Sequence, residues 1–121
     1  MKKALNKADR NRPDHPPLGD AQLQAVAELF DVLSEVSRLR ILQILQKNPA
    51  SVSELVEKSG LKQANVSKQL GALQSARLVA RRQDGNRAIY SIQLPLVFEL
   101  CEWVCRGIAQ QATERAVALH R

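Results

Sequence analysis

Aromatic residues are scarce in this 121-residue chain: Phe30, Phe98, Tyr90 and Trp103 are all it has. A core must then be built mainly from Leu, Val, Ile and Ala, which favours packed helices. No apolar run approaches the roughly 18 residues needed to cross a bilayer, which excludes a membrane-spanning helix. The opening MKKALNKADRNRPDHPPLG is too polar for a secretory leader, so the expected location is the cytoplasm. The chain has no Gly-rich loop to cradle phosphates, no nucleophile beside a base and no carboxylate pair outside solvated helix faces. Catalysis therefore has little support. There is no internal repeat, and cysteine occurs only twice, as Cys101 and Cys105.

What remains is the composition of one soluble domain, 45% hydrophobic and 25% charged. The net charge of +6 is unevenly spread. Residues 1–18 carry five cations against two anions. Residues 62–90 carry Lys62, Lys68, Arg77, Arg81, Arg82 and Arg87 against Asp84, and everything else sums to −2. Positive charge gathered in one segment and one tail is the footprint of a polyanion binder; the alternative is an ordinary solvated basic face.

Pro13, Pro16, Pro17 and Gly19 with scattered charges predict a flexible basic tail over residues 1–19, with His15 a solvated surface residue. A single domain over 20–121 follows. Gly19 or Asp20 opens a first helix whose apolar face is Leu23, Val26, Ala27, Phe30 and Leu33. Ser37 can cap a second helix that buries Leu39, Ile41, Leu42, Ile44 and Leu45 and ends at Asn48-Pro49. Ser51 with Glu54 forms a capping box for a third, which has Leu55 and Val56 as core residues and is closed by a left-handed Gly60.

A fourth helix over about Gln63–Ala76 turns Val66, Leu70 and Leu73 inward. That leaves Gln63, Ala64, Asn65, Ser67, Lys68 and Gln69 facing out. Leu78–Arg82 and Ala88–Ile92 read as two strands joined by a hairpin at Asp84-Gly85. Pro95 starts a last helix reaching about Leu119, apolar on more than one side at Leu96, Val97, Leu100, Val104 and Ile108. One small domain cannot cover such a helix, and a second copy of the chain is the simplest cover. The expected fold is mainly α, α+β: a winged helix-turn-helix of about five helices plus a two-stranded hairpin, dimerising through its terminal helices.

In that arrangement the fourth helix enters the major groove of duplex DNA. Gln63, Asn65 and Gln69 carry amides that pair bidentately with adenine, and Ser67 can meet a base or a phosphate. Lys62 and Lys68 suit phosphates, which position without specifying. Arg82, Asn86 and Arg87 on the wing would meet backbone or minor groove. Tyr90, on a strand, suits core or interface packing better than base stacking.

Cys101 and Cys105, four apart on the last helix, share a face with Val97, Ile108 and Ala112. Three readings stand. The thiols can simply be buried as small hydrophobes. They can grip a thiophilic ion (trivalent arsenic or antimony, cadmium, zinc or copper(I)), with further ligands from a second copy. They can act as a redox or sulfide switch, through a bridge between subunits, since a disulfide within one helix turn is strained. His120, fifteen residues past Cys105, is too far along the helix to join them and reads as a surface residue.

The runs LFDVLSEVSRLRILQIL, SVSELVEKSGLKQANVSKQLGALQSARLVARR and DGNRAIYSI resemble the ArsR/SmtB family of bacterial winged-helix repressors over about residues 24–110. The resemblance implies a homodimer with first and last helices at its interface, an imperfect palindrome in a promoter as the DNA, and release when an effector binds. One departure is Glu35-Val36-Ser37, where members often have Asp-Pro-Thr, a change expected to affect only the turn. The family's zinc-sensor ligands would fall on Leu94, Leu96, Gly107 and Gln110, so that site is missing. The arsenic sensors' Cys-x-Cys is absent from residues 36–60, and the sulfide sensors' second-helix cysteine is absent too. The resemblance thus leaves Cys101 and Cys105 as a candidate effector pair. Two other functions stay open: a constitutive DNA-binding repressor with structural cysteines, and a winged-helix module for RNA or protein.

Overall fold

The structure, a computed structural model, describes residues 16–119, with side chains as far as Arg115. Most of the expected tail, with His15, and His120 lie outside the described residues. Pro16–Gly19 are irregular and exposed. Five helices and three strands follow in the order α1 Asp20–Val32, α2 Val36–Lys47, β1 Ala50–Ser51, α3 Val52–Ser59, α4 Gln63–Ser75, β2 Val79–Asp84, β3 Arg87–Ile92 and α5 Pro95–Leu119. No helix among the described residues is long and apolar enough to cross a membrane.

The α3–α4 pair owes its angle to local chemistry. Ser51 Oγ accepts from the Glu54 backbone N–H at 3.3 Å, and Glu54 Oε1 accepts from the Ser51 N–H at 3.2 Å, which completes the expected capping box. Gly60 ends α3 at φ +74°, a conformation that costs glycine nothing. Ser59 Oγ then accepts from the Leu61 N–H at 3.1 Å and stiffens the turn into α4. Leu55 of α3 packs with Val66, Leu70 and Leu73 of α4 and Ile41, Leu42 and Leu45 of α2 into one core. The far end of α4 closes with Arg77 left-handed at φ +63°: Leu78 N–H donates to the Leu73 carbonyl and Arg77 N–H to the Gln74 carbonyl.

The hairpin extends to Asp84 and from Arg87, so the loop itself is Gly85-Asn86, with Gly85 at φ +63°. The sheet has a third strand that sequence patterning did not reveal. Ala50 and Ser51 pair antiparallel with Tyr90 and Ile89, giving the order β1-β3-β2. Two residues are too short to show a period, yet they tie the start of α3 to the wing. Tyr90 is half-buried against the core, as expected of a packing residue.

Two expectations need correction, and a third observation concerns α1. Ser37 is not the cap of α2: the helix begins at Val36 after Glu35, whose carboxylate goes to Gln69 and Arg38 instead of the helix N–H groups. Leu39 is exposed, because α2 turns that side toward an open groove and away from the core. The apolar face of α1 is mostly uncovered. Leu33 is buried and Leu29 and Val32 half-buried, but Leu23, Val26 and Phe30 face out.

Candidate nucleic-acid interface and thiol groove

The outward side of α4 follows from the inward one. Val66, Leu70 and Leu73 fill the core, so the 3.6-residue repeat turns Gln63, Ala64, Ser67, Lys68 and Gly71 to solvent in one stripe, with Lys62 at its head. Nothing among the described residues crowds Gly71. The wing stands beside this stripe with Arg82, Asn86 and Arg87 exposed. Arg87 is tethered, its Nη1 lying 3.6 Å from Glu54 Oε1. The Ser51 backbone N–H, then the Ser51 hydroxyl, hold the Glu54 carboxyl below its ordinary pKa, with smaller help from Arg87. That carboxylate therefore stays charged beside the wing.

Two of the expected contacts sit differently. Gln69 is only 2% exposed and faces inward, not outward. Three after Val66 and four before Leu73, it lies within the core-facing stripe. Its amide is tolerated there because it is fully hydrogen-bonded to Glu35, Arg38 and Asn65. Asn65 is half-buried, with Nδ2 3.5 Å from Ser37 Oγ. Sequence reasoning missed Glu35, Arg38 and Ser37 as parts of this assembly. The one signal was a cluster of polar residues at the start of an otherwise apolar helix.

A groove of about 590 Å³ opens between α1, α2 and α5. Phe30, Leu33, Val36, Leu39, Leu100 and Val104 make it apolar, and both cysteines line it. Gln46 Nε2 donates to the Phe98 carbonyl at 3.1 Å and holds α2 to α5 along one edge. Cys101 is buried and Cys105 exposed; both are free thiols. Burial pushes the Cys101 thiol up, and the neighbouring Cys105 adds to that. Among the described residues no three of His, Cys, Asp and Glu gather closely enough to hold a metal ion. A soft ion on this pair would need donors from elsewhere. Alkylation at pH 8 is expected to modify Cys105 at least tenfold faster than Cys101, because the reactive thiolate is both rarer and covered at Cys101. Equal rates by mass spectrometry would show that α5 does not pack as described.

The model of the bacterial regulatory protein arsR family matches residues 35–81. An uncharacterized HTH-type transcriptional regulator of Mycobacterium tuberculosis, Rv0081, is 40% identical over 94 residues, covering 77% of this chain and 82% of that one. Its crystal structure superposes with a TM-score of 0.69 over 81% of this chain and 99% of the other. The homodimeric winged helix-turn-helix DNA-binding domain of Mb0332 from Mycobacterium bovis, solved by NMR, is 30% identical. Its TM-score is 0.69, over 81% of this chain and 93% of that one. The AntR antimony-specific transcriptional repressor is 27% identical with a TM-score of 0.75, over 93% and 99% of the two chains.

Proposed function

The chain belongs to the arsR family of bacterial regulatory proteins, and we propose that it is a cytoplasmic, dimeric, sequence-specific repressor of transcription that binds an inverted repeat in duplex DNA. The observation that carries this reading is the outward stripe of α4, Lys62, Gln63, Ala64, Ser67 and Lys68, none of them needed by the core and all beside a basic wing. Its helix fits the major groove; Gln63 reads a base edge, Ala64 permits close approach, and Ser67 meets a base or a phosphate. Lys62 and Lys68 take phosphates, while Arg82, Asn86 and Arg87 meet the backbone or the minor groove. The homodimeric M. bovis domain and the repressor AntR support pairing and repression.

The proposal extends to release by a thiophilic ion or a thiol oxidant at Cys101 and Cys105. Both line a groove walled by α1, α2 and α5, so a bond formed there changes how those helices pack. Trivalent arsenic or antimony, cadmium, zinc and copper(I) suit the thiols, with a partner copy supplying the missing donors. The burial of Cys101 within the core favours a second reading, a constitutive repressor with structural cysteines.

A titration of inverted-repeat DNA with and without each ion and an oxidant separates the two. Wild type is expected to lose affinity about 5- to 150-fold with at least one of them. The double variant Cys101→Ser, Cys105→Ser is expected to stay bound. Wild type indifferent to every ion and oxidant would leave the constitutive reading. Duplex bound no better than single-stranded RNA would end the repressor reading itself.

A further inference from the structure

Gln69 is buried, yet both polar atoms of its amide are used. Its Oε1 accepts from Arg38 Nε at 2.9 Å, and its Nε2 donates to Glu35 Oε1 at 2.7 Å and to Asn65 Oδ1 at 2.9 Å. Only one orientation of this amide works. Turned over, it would set its NH2 against a guanidinium N–H and its carbonyl against two oxygens. Arg38 is fixed twice more: Nη2 lies 3.4 Å from Glu35 Oε2, and Nη1 donates to the Val32 carbonyl, the last of α1, at 3.1 Å. The orientation of Gln69 is thus imposed by α1 and α2, and Gln69 in turn imposes that of Asn65.

Asn65 is the member of this network that reaches the surface of α4, one turn from Gln69 and two residues from Gln63. Its Oδ1 is drawn inward by Gln69. Its Nδ2 points to Ser37 Oγ with a second hydrogen outside the network. With Oδ1 drawn inward and one Nδ2 hydrogen directed to Ser37, the remaining Nδ2 hydrogen is what Asn65 has left to donate.

We propose that Glu35, Arg38 and Gln69 are positioning residues for sequence reading: they hold the Asn65 carbonyl inward, so that Asn65 meets DNA as a hydrogen-bond donor. A donor selects base edges that accept, guanine O6 and N7, thymine O4 or, beside its N6 amino group, adenine N7, and disfavours the N4 amino group of cytosine. Gln63, exposed and outside the network, keeps both halves of its amide for adenine. The inference rests on the DNA-binding reading above. Of the two amides of α4 assigned to reading, Asn65 then has a fixed hydrogen-bonding sense and Gln63 does not.

The test is selection of inverted repeats with randomised half-sites by the full chain. Asn65→Ala identifies the position that Asn65 reads. There wild type is expected to prefer guanine or thymine over cytosine by about tenfold, and Gln69→Leu to reduce this to about twofold or less, other positions unchanged. Gln69→Glu sets an oxygen in place of Nε2, which shares a proton with Glu35 Oε1 and presents Asn65 with an acceptor. It is expected to draw the Asn65 amino group inward, turn the carbonyl out and shift the preference toward cytosine or adenine. Arg38→Lys, which keeps the charge but loses the fork, carries the test if Gln69→Leu does not fold. An unchanged preference at that position, or a uniform loss across all sequences, would overturn the positioning role. If wild type selects no duplex, the DNA-binding reading falls and this inference with it. Selective wild type with equally selective variants sinks only the inference.

Discussion

Between 50 and 200 mM monovalent salt, the affinity for the inverted repeat is expected to fall by about 10³- to 10⁵-fold. Lys62, Lys68, Arg82 and Arg87 are exposed beside the reading stripe, which makes eight cations in a pair of subunits. Each phosphate they neutralise releases condensed counterions, and about 6–10 such contacts give a fall of that size. Arg87 enters this total at a cost, since Glu54 already holds it at 3.6 Å and must give it up. Lys68→Gln removes one contact per subunit. It is expected to flatten the slope of log affinity against log salt by about 2 and to weaken binding to every sequence alike. Gln63→Ala should do the reverse, leaving the slope and changing the preferred sequence. Fluorescence anisotropy at four salt concentrations checks both. A slope unmoved by Lys68→Gln would take that lysine off the phosphates, and a nearly flat wild-type slope would remove the electrostatic case for DNA.

Much of this was legible in the sequence because it rests on local rules. Ser51 with Glu54, the left-handed Gly60 and the 66/70/73 spacing of α4 each follow from chemistry within a few residues, and each is found. What was not legible depends on partners distant in the chain. The sequence groups Gln69 with the outward polar side chains of α4, although its spacing from Val66 and Leu73 is that of an inward residue. Spacing prevailed because Glu35 and Arg38, 34 and 31 residues away, satisfy the amide. Leu39 shows the converse. Its period points inward, but among the described residues that side of α2 faces only the groove. The strand at Ala50–Ser51 exists only through its pairing with β3.

Ile108→Glu is expected to turn the dimer into a monomer, raising its dissociation constant by about 10²- to 10⁴-fold. The 25 residues of α5 span about 37 Å. Val97 and Cys101 anchor its start in the core, but every residue from Glu102 to Arg115 is exposed. Trp103 (69%), Ile108 (60%) and Val104 (53%) are among the most open apolar side chains, and Phe30 of α1 (54%) is similar. Val97, Cys101, Val104 and Ile108 lie on one line of the helix at spacings of four, three and four. Glu102 and Arg106, ion-paired at 2.6 Å, lie roughly 200° from Val104 and Ile108 respectively and mark the wet side. A second copy covering the apolar line buries Ile108 twice. Covering an isoleucine contributes about 1.5–3 kcal/mol, so the substitution removes about 3–6 kcal/mol per dimer before any charge is buried. Helix content and melting of the monomer should change little, since Ile108 takes no part in the core. Binding to the full inverted repeat should drop to that of a single half-site, because the second contact is no longer tethered to the first. Arg106→Gln, on the wet side, should leave both properties intact. Sedimentation velocity with half-site and full-site titrations decides the matter. A dimer of native affinity carrying Ile108→Glu would mean that α5 is covered along some other line, and the two α4 stripes would then be spaced for a different arrangement of half-sites.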